Sequence, residues 1–287
     1  AEVSRACAAA GLPLFLYYSL LDWHFPDFSP DCSEYRKYYH AQVEELATNY
    51  GPLAGFWFDM GDLLARYHGQ ATWEMLRERQ PEALIPQEFF VGERTLTHTS
   101  AYDPQGRLLN MPLPAPAPDA WPLEVCDTMN RSWGYNPSDT NYRSAEELLR
   151  QLITAVGKGA NLLLNVSPTP SGAIPPEQVQ RLEYMGDFLE RYGEAVYGTR
   201  PALLATESWG FAVTKEQRLL LHVVEPQDEF TVQGLGRDMG EVTRVSTLEG
   251  KPVPWRQDPS GLHVQVPLES RHPVDTILEV VLRRLQS

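Results

Sequence analysis

Along the first 200 positions the apolar residues follow two rhythms in turn. Leu12–Ser19 and Ala54–Phe58 are short, nearly continuous apolar runs, the pattern of strands buried on both faces. Between them, Ser33–Tyr50 carries Tyr35, Tyr38, Tyr39, Val43, Leu46 and Ala47 at helical spacing behind a Ser33 cap. The alternation goes on through a helix Thr72–Gln80, a short strand Ala83–Ile85 and a strand Leu123–Cys126. A helix Ser144–Gly157 then opens with a capping box of Ser144 and Glu147, and a strand Asn161–Val166 follows. Pro175-Pro176 starts a last helix that runs to about Tyr192. The opening stretch reads as the end of an amphipathic helix, a Gly11 cap and a strand, without the basic-then-apolar order of a leader. Strands alternating with helices imply an α/β fold with a parallel sheet or barrel.

Two stretches break this rhythm. From Phe89 to Ala120 the pattern lapses, and Asn110–Asp119 is so rich in proline that it reads as extended, loop-like chain. Beyond Arg200-Pro201 only short alternating runs remain: Leu219–Val224, Phe230–Val232, Val242–Ser246, Leu262–Val266 and Thr276–Leu282. Separated by turn residues, they predict a small antiparallel β-sandwich. The expected division is therefore residues 1–200 as an α/β domain and 201–287 as a β-sandwich.

Composition narrows the function. A hydrophobic share of 43% with 22% charged residues is that of an ordinary globular chain, and no apolar run is long enough to span a bilayer. The net charge of −14 repels phosphate backbones, which argues against nucleic acid and suits a neutral substrate such as a sugar. Cys7, Cys32 and Cys126 are too few and too scattered for a disulfide framework or a zinc site, and read as buried free thiols.

The densest chemical signal is Gly55-Phe-Trp-Phe-Asp-Met-Gly-Asp62, an apolar strand that ends abruptly in an acid. Asp59 falls at the C-terminal tip of that strand, where parallel α/β folds keep their chemistry. It is either a reactive carboxylate there or the cap of the element that follows. Asp22 and Asp62 are further carboxylates, with capping the simpler account of Asp62. Trp133, Tyr135 and Asn136 either line a subsite or form a plain turn, since Gly134-Tyr-Asn-Pro137 is a turn signature. Asn161 and Asn165 flank the apolar run of a strand, and Asn165 at its tip is placed to bond neighbouring loops.

Five segments in order resemble the α-L-fucosidases of glycoside hydrolase family 29. They are Leu16-Tyr-Tyr-Ser-Leu-Leu-Asp-Trp-His24, Phe56-Trp-Phe-Asp-Met-Gly61, Glu124–Asn136, Lys158–Gly172 and Gly193–Pro201. The resemblance implies a retaining hydrolase on a TIM-like (β/α) barrel with a β-sandwich after it, needing neither metal nor cofactor. Its substrate would be a fucose-containing glycan or glycoside. The family's nucleophile falls on Asp59, with Trp57 on the same side of the strand as either a flat wall for the sugar or a barrel aromatic. Tyr17 matches a sugar-contacting tyrosine. For the acid/base the resemblance points to Glu124, in Trp121-Pro-Leu-Glu-Val-Cys126, with Glu93 and Asp103 as rivals on the irregular stretch.

The chain also departs from the family pattern. An N-D-R segment is replaced by Ile85-Pro-Gln-Glu88, and the family's H-H-D-G-type motif, with the strands around it, is not found; His24 belongs to another motif. About five of the eight strands of a full barrel are counted. The expectation is a barrel lacking its first strands, either part of a longer product or closed by other means such as a homo-oligomer. Three readings follow: a retaining α-L-fucosidase, a non-catalytic or weakly active carbohydrate-binding remnant of one, and a related hydrolase for another sugar.

Overall fold

A computed structural model of the chain describes residues 1–26, 33–59, 69–85, 96–99, 123–204, 208–225, 227–236 and 240–283. The chain divides into two compact units, Ala1–Thr97 with Trp121–Leu123, and His98–Ala120 with Glu124–Ser287.

In the first unit, helix α1 (Glu2–Ala10) stops at Gly11, whose φ of 66° lies in the left-handed region that glycine tolerates. Strands β1 (Phe15–Ser19) and β2 (Gly55–Asp59) pair in parallel, with Tyr17 opposite Trp57 and Ser19 opposite Asp59. The short strand expected at Ala83–Ile85 is reduced to one parallel bridge between Gly55 and Leu84. Helix α2 (Ser33–Asn49) buries Tyr35, Tyr39, Val43 and Ala47, one per turn on a single face. Helix α3 (Gly69–Arg79) begins earlier than its apolar pattern suggests, because its first turn opens on a buried glycine. Both helices contribute to one core with Phe56 and Phe58. The period of two along a strand therefore turns Trp57 and Asp59 to the opposite face. Gly55 is needed on that face, since a β-carbon there would come within 2.3 Å of the Phe15 ring and 2.6 Å of the Leu84 carbonyl oxygen.

Strand β3 (Leu96–Thr99), β4 (Leu123–Thr128) and β5 (Ala160–Asn165) form a three-stranded sheet in that order. Helix α4 (Ala145–Gly157) precedes β5, and its capping box joins Ser144 and Glu147 through bonds of 3.1 and 2.7 Å. Helix α5 (Pro176–Tyr192) begins on proline, whose missing N–H costs nothing in a first turn.

The rest of the second unit is antiparallel. Strands β6 (Arg200–Pro201), β7 (Gly210–Lys215) and β8 (Arg218–Val223) are followed by β9 (Glu229–Val232) and β10 (Glu241–Thr247). Strands β11 (Trp255–Asp258), β12 (Gly261–Gln265) and β13 (Thr276–Arg283) complete the set. They make a five-stranded sheet, β10-β13-β8-β7-β6, and a three-stranded one, β11-β12-β9. Leu221, Leu278 and Val280 from the larger sheet share a core with Val232, Leu262 and Val264 from the smaller, the expected sandwich. The larger sheet is also buried on its other face. Phe211, Val213, Leu220 and Ile277 pack with Leu148, Leu149 and Ile153 of α4 and with Met185 and Phe188 of α5. Double burial explains why β7 has no polar–apolar alternation to reveal it in the sequence. Among the described residues the strands do not close into a barrel.

Candidate active site

In the first unit the reactive features gather on the face of β1 and β2 that the helices leave uncovered. Phe15 and Tyr17 are 46% and 59% exposed, while Trp57 and Asp59 are half-buried. The Tyr17 and Trp57 rings stack with centroids 5.7 Å apart and planes 16° from parallel. The Tyr17 hydroxyl donates to Asp59 Oδ2 at 2.6 Å, a short bond of the charge-assisted kind. The Leu20 N–H donates to the Asp59 carbonyl at 3.3 Å, extending the ladder past the end of β1. Backbone pairing and side-chain bonding thus fix the Asp59 carboxylate beside a flat aromatic wall.

The electrostatics of this pair run one way. Partial burial and the Asp59 carboxylate, as bond acceptor and as negative charge, push the Tyr17 phenol up to about 12 from its ordinary 10.0. Ionising it would set two anions in contact, so the hydroxyl keeps its proton and remains a donor throughout the neutral range.

Asp22 does not join them. Its Oδ1 accepts the His24 N–H at 2.9 Å in a local turn, which is the structural account of that acid. Glu93, Asp103, Asp62 and Cys32 lie outside the described residues. Cys7 is half-buried rather than buried, and Cys126 is buried; both are free thiols. Among the described residues no group of three or more His, Cys, Asp or Glu is arranged to hold a metal, and no helix is long and apolar enough to cross a membrane.

In the second unit Glu124 is the half-buried second residue of β4. The strand is anchored three residues on by a group that the sequence reading missed. Asp127, 1% exposed, pairs with Arg143 at 3.0 Å and accepts from the Gln151 amide and the Thr128 N–H. Burial draws the Arg143 guanidinium below its ordinary value, against the pull of Asp127. Removing either partner would strand a buried charge at about 3–5 kcal/mol, so the pair reads as a fixed anchor. The sequence signal was an acid inside the apolar run Val125-Cys-Asp-Thr-Met129.

Beyond β4 the chain turns through a wired loop that carries Trp133. Asp139 accepts the Ser132 hydroxyl at 2.7 Å, the Arg131 N–H at 3.0 Å and the Asn141 N–H at 3.2 Å. These donors, the Ser132 hydroxyl foremost, hold its carboxyl below the usual range. Asn136 accepts the Ser138 N–H at 3.0 Å, the turn role that Gly134–Pro137 predicted. Asn165, at the end of β5, donates to the Trp133 carbonyl at 2.7 Å. Asn161 is an exposed residue of β5. The indole of Trp133 and the ring of Tyr135 stay in solvent, at 52% and 43% exposure.

Comparison with known proteins gives this arrangement a context. The family model described as alpha-L-fucosidase matches residues 1–194. A plasma alpha-L-fucosidase of Rattus norvegicus is 30% identical, over 90% of this chain and 60% of its own length. Alpha-L-fucosidase isoenzyme 1 from Paenibacillus thiaminolyticus is 27% identical, with a TM-score of 0.75 over 99% of this chain and 75% of that one. The Thermotoga maritima alpha-fucosidase, solved in complex with a mechanism based inhibitor, is 25% identical with a TM-score of 0.70, covering 98% of this chain and 67% of its own. The chain spans about 60% of the length of the curated relatives it matches.

Proposed function

Since the chain belongs to the alpha-L-fucosidase family, we propose that it is, or is part of, a retaining α-L-fucosidase that removes terminal fucose from glycans or fucosides. The observation that carries this reading is the Asp59 carboxylate at the tip of β2, oriented by the Tyr17 hydroxyl at 2.6 Å and flanked by Trp57. In the first step an Asp59 oxygen bonds to the anomeric carbon as the glycosidic bond breaks, and Glu124 gives its proton to the leaving oxygen. In the second, Glu124 takes a proton from water, whose oxygen displaces Asp59 and releases fucose. Tyr17 and Trp57 contact the sugar, and Trp133 is a further substrate-binding residue. The parallel pair β1–β2 and the sheet of β3, β4 and β5 are proposed as arcs of a TIM-like barrel. Residues 1–200 then form the catalytic part and 201–287 the β-sandwich.

The test is the stereochemistry of hydrolysis. Proton NMR of an aryl α-L-fucoside digest should show the α-anomer of fucose first, with the β-anomer growing in only by mutarotation. Initial β-fucose would overturn retention, and no hydrolysis would favour the binding remnant.

A second expectation isolates Tyr17. Tyr17→Phe keeps the ring on Trp57 and deletes the donor to Asp59. A bond to a charged group contributes about 1.5–3 kcal/mol when well buried. With Tyr17 more than half exposed at 59%, a smaller loss applies, and kcat should fall about fivefold at an unchanged melting temperature. An unaltered kcat would show that Asp59 does not depend on the phenol.

A further inference from the structure

Val274 and Asp275, each 1% exposed, hang their backbone on one side chain. The Val274 N–H donates to His272 Nδ1 at 3.2 Å, and the Asp275 N–H donates to the same atom at 3.3 Å. A ring nitrogen that accepts carries no proton, so His272 is the neutral tautomer protonated at Nε2. The half-buried ring stands edge-on to Phe188 and Tyr192 of α5, with centroids 5.3 and 5.9 Å apart. The turn held in this way delivers Asp275 to a buried partner. Asp275 Oδ2 lies 2.7 Å from Nδ1 of His222 on β8, and His222 Nε2 donates to the Ala195 carbonyl at 3.2 Å. Ala195 ends the short 3-10 turn that follows α5, and Asp275 leads into β13. The other carboxyl oxygen, Asp275 Oδ1, has no hydrogen-bond partner among the described residues, so His222 is the side-chain anchor of this acid. One chain of bonds thus runs from His272 through Asp275 and His222 to the end of α5, across the seam between the helices and the larger sheet.

A second proton on His272 does not fit this arrangement. On Nδ1 it would point at two N–H groups and leave two buried donors without an acceptor. The surrounding charges do not reverse this. Burial draws His272 below its ordinary 6.5, Asp275 pulls the other way, and Arg191 on α5 adds to the fall. Glu249 is engaged with α5 instead, paired with Arg191 at 2.9 Å and bonded by the Tyr192 hydroxyl. His222 spends both ring nitrogens on Asp275 and Ala195. We infer that His272 is an acid-released latch: a proton on Nδ1 ends both backbone bonds, frees the turn 272–275 and withdraws Asp275 from His222 at the seam. The latch is a property of this joint alone and does not depend on the fucosidase reading. Its sign follows from linkage. The locked turn takes no proton on His272, whereas a freed histidine takes one below about pH 6.5. The joint is therefore fully stable above that value and loses stability progressively as pH falls below it.

Hydrogen exchange of the whole chain tests the latch, read by mass spectrometry on a peptide covering 270–278. With intrinsic exchange rates divided out, protection should drop about tenfold between pH 7.5 and 5.5. His272→Asn sets an amide oxygen where Nδ1 was and cannot take the proton, so its protection should stay level over that range. His272→Phe keeps a ring beside Phe188 but deletes the acceptor, and its protection should be low at both pH values. Level protection in the wild type, the same drop in His272→Asn, or wild-type protection in His272→Phe at pH 7.5 would overturn the latch. If neither variant folds, NMR titration of the His272 ring in the wild type decides. A midpoint well below 6.5 supports the latch, and one at 6.5 or above overturns it.

Discussion

Asp59→Ala is expected to lower turnover of an aryl fucoside by about four orders of magnitude or more while leaving the fold intact. Losing a nucleophile removes the covalent route altogether, and single replacements of this kind in hydrolases cost about 10⁴–10⁶ in kcat. Stability should hardly change, because Asp59 sits half-buried at a strand tip and Phe56 and Phe58, not Asp59, fill the core behind it. Azide should restore a measurable rate to Asp59→Gly by entering the space of the missing carboxylate and yielding a fucosyl azide of inverted configuration. Activity near wild type in Asp59→Ala, with melting unchanged, would remove Asp59 from the mechanism.

Glu124→Ala should show a different pattern, one that depends on the leaving group. A positioned acid contributes about 10²–10⁴ when it must protonate a departing alkoxide, and little when the leaving oxygen is already a stable anion. Fucosylated saccharides should therefore lose about a thousandfold, and a dinitrophenyl fucoside far less in its first step. Azide should accelerate the variant on the activated substrate, since it needs no general base. An equal loss on both substrates would mean that Glu124 supports the strand and that the acid lies elsewhere, with Glu93 and Asp103 the next residues to replace.

How much of this was legible in the sequence follows from where each residue's partners lie. Helices α2, α4 and α5 and strands β1, β2 and β5 came from periodicity and caps, which are local properties. The Ser144–Glu147 capping box was legible for the same reason, both partners lying within one turn. Strand β7 was missed because burial on both faces erases alternation, and β11 because Trp255–Asp258 offers a single apolar residue among polar ones. Asp59 was legible as a carboxylate at a strand tip. Its bond to Tyr17 was not, since 42 residues separate the two and only the parallel register brings them together. The buried pair of Asp127 and Arg143, and the hold of Asn165 on Trp133, depend likewise on elements meeting in space. An acid inside an apolar strand announces that some partner exists without saying which.

The two-faced burial of the larger antiparallel sheet bears on how such a chain can be cut and recombined. A sandwich whose outer face meets water can be moved between proteins as a module. Here Phe211, Val213, Leu220 and Ile277 are covered by α4 and α5, which precede the sheet in the chain. Separating the strands from those helices would lay bare an apolar surface of the kind that drives association. The smallest piece that keeps this core covered is therefore the helical layer together with both sheets, and a cut near residue 200 would fall in the middle of a shared core rather than at a seam.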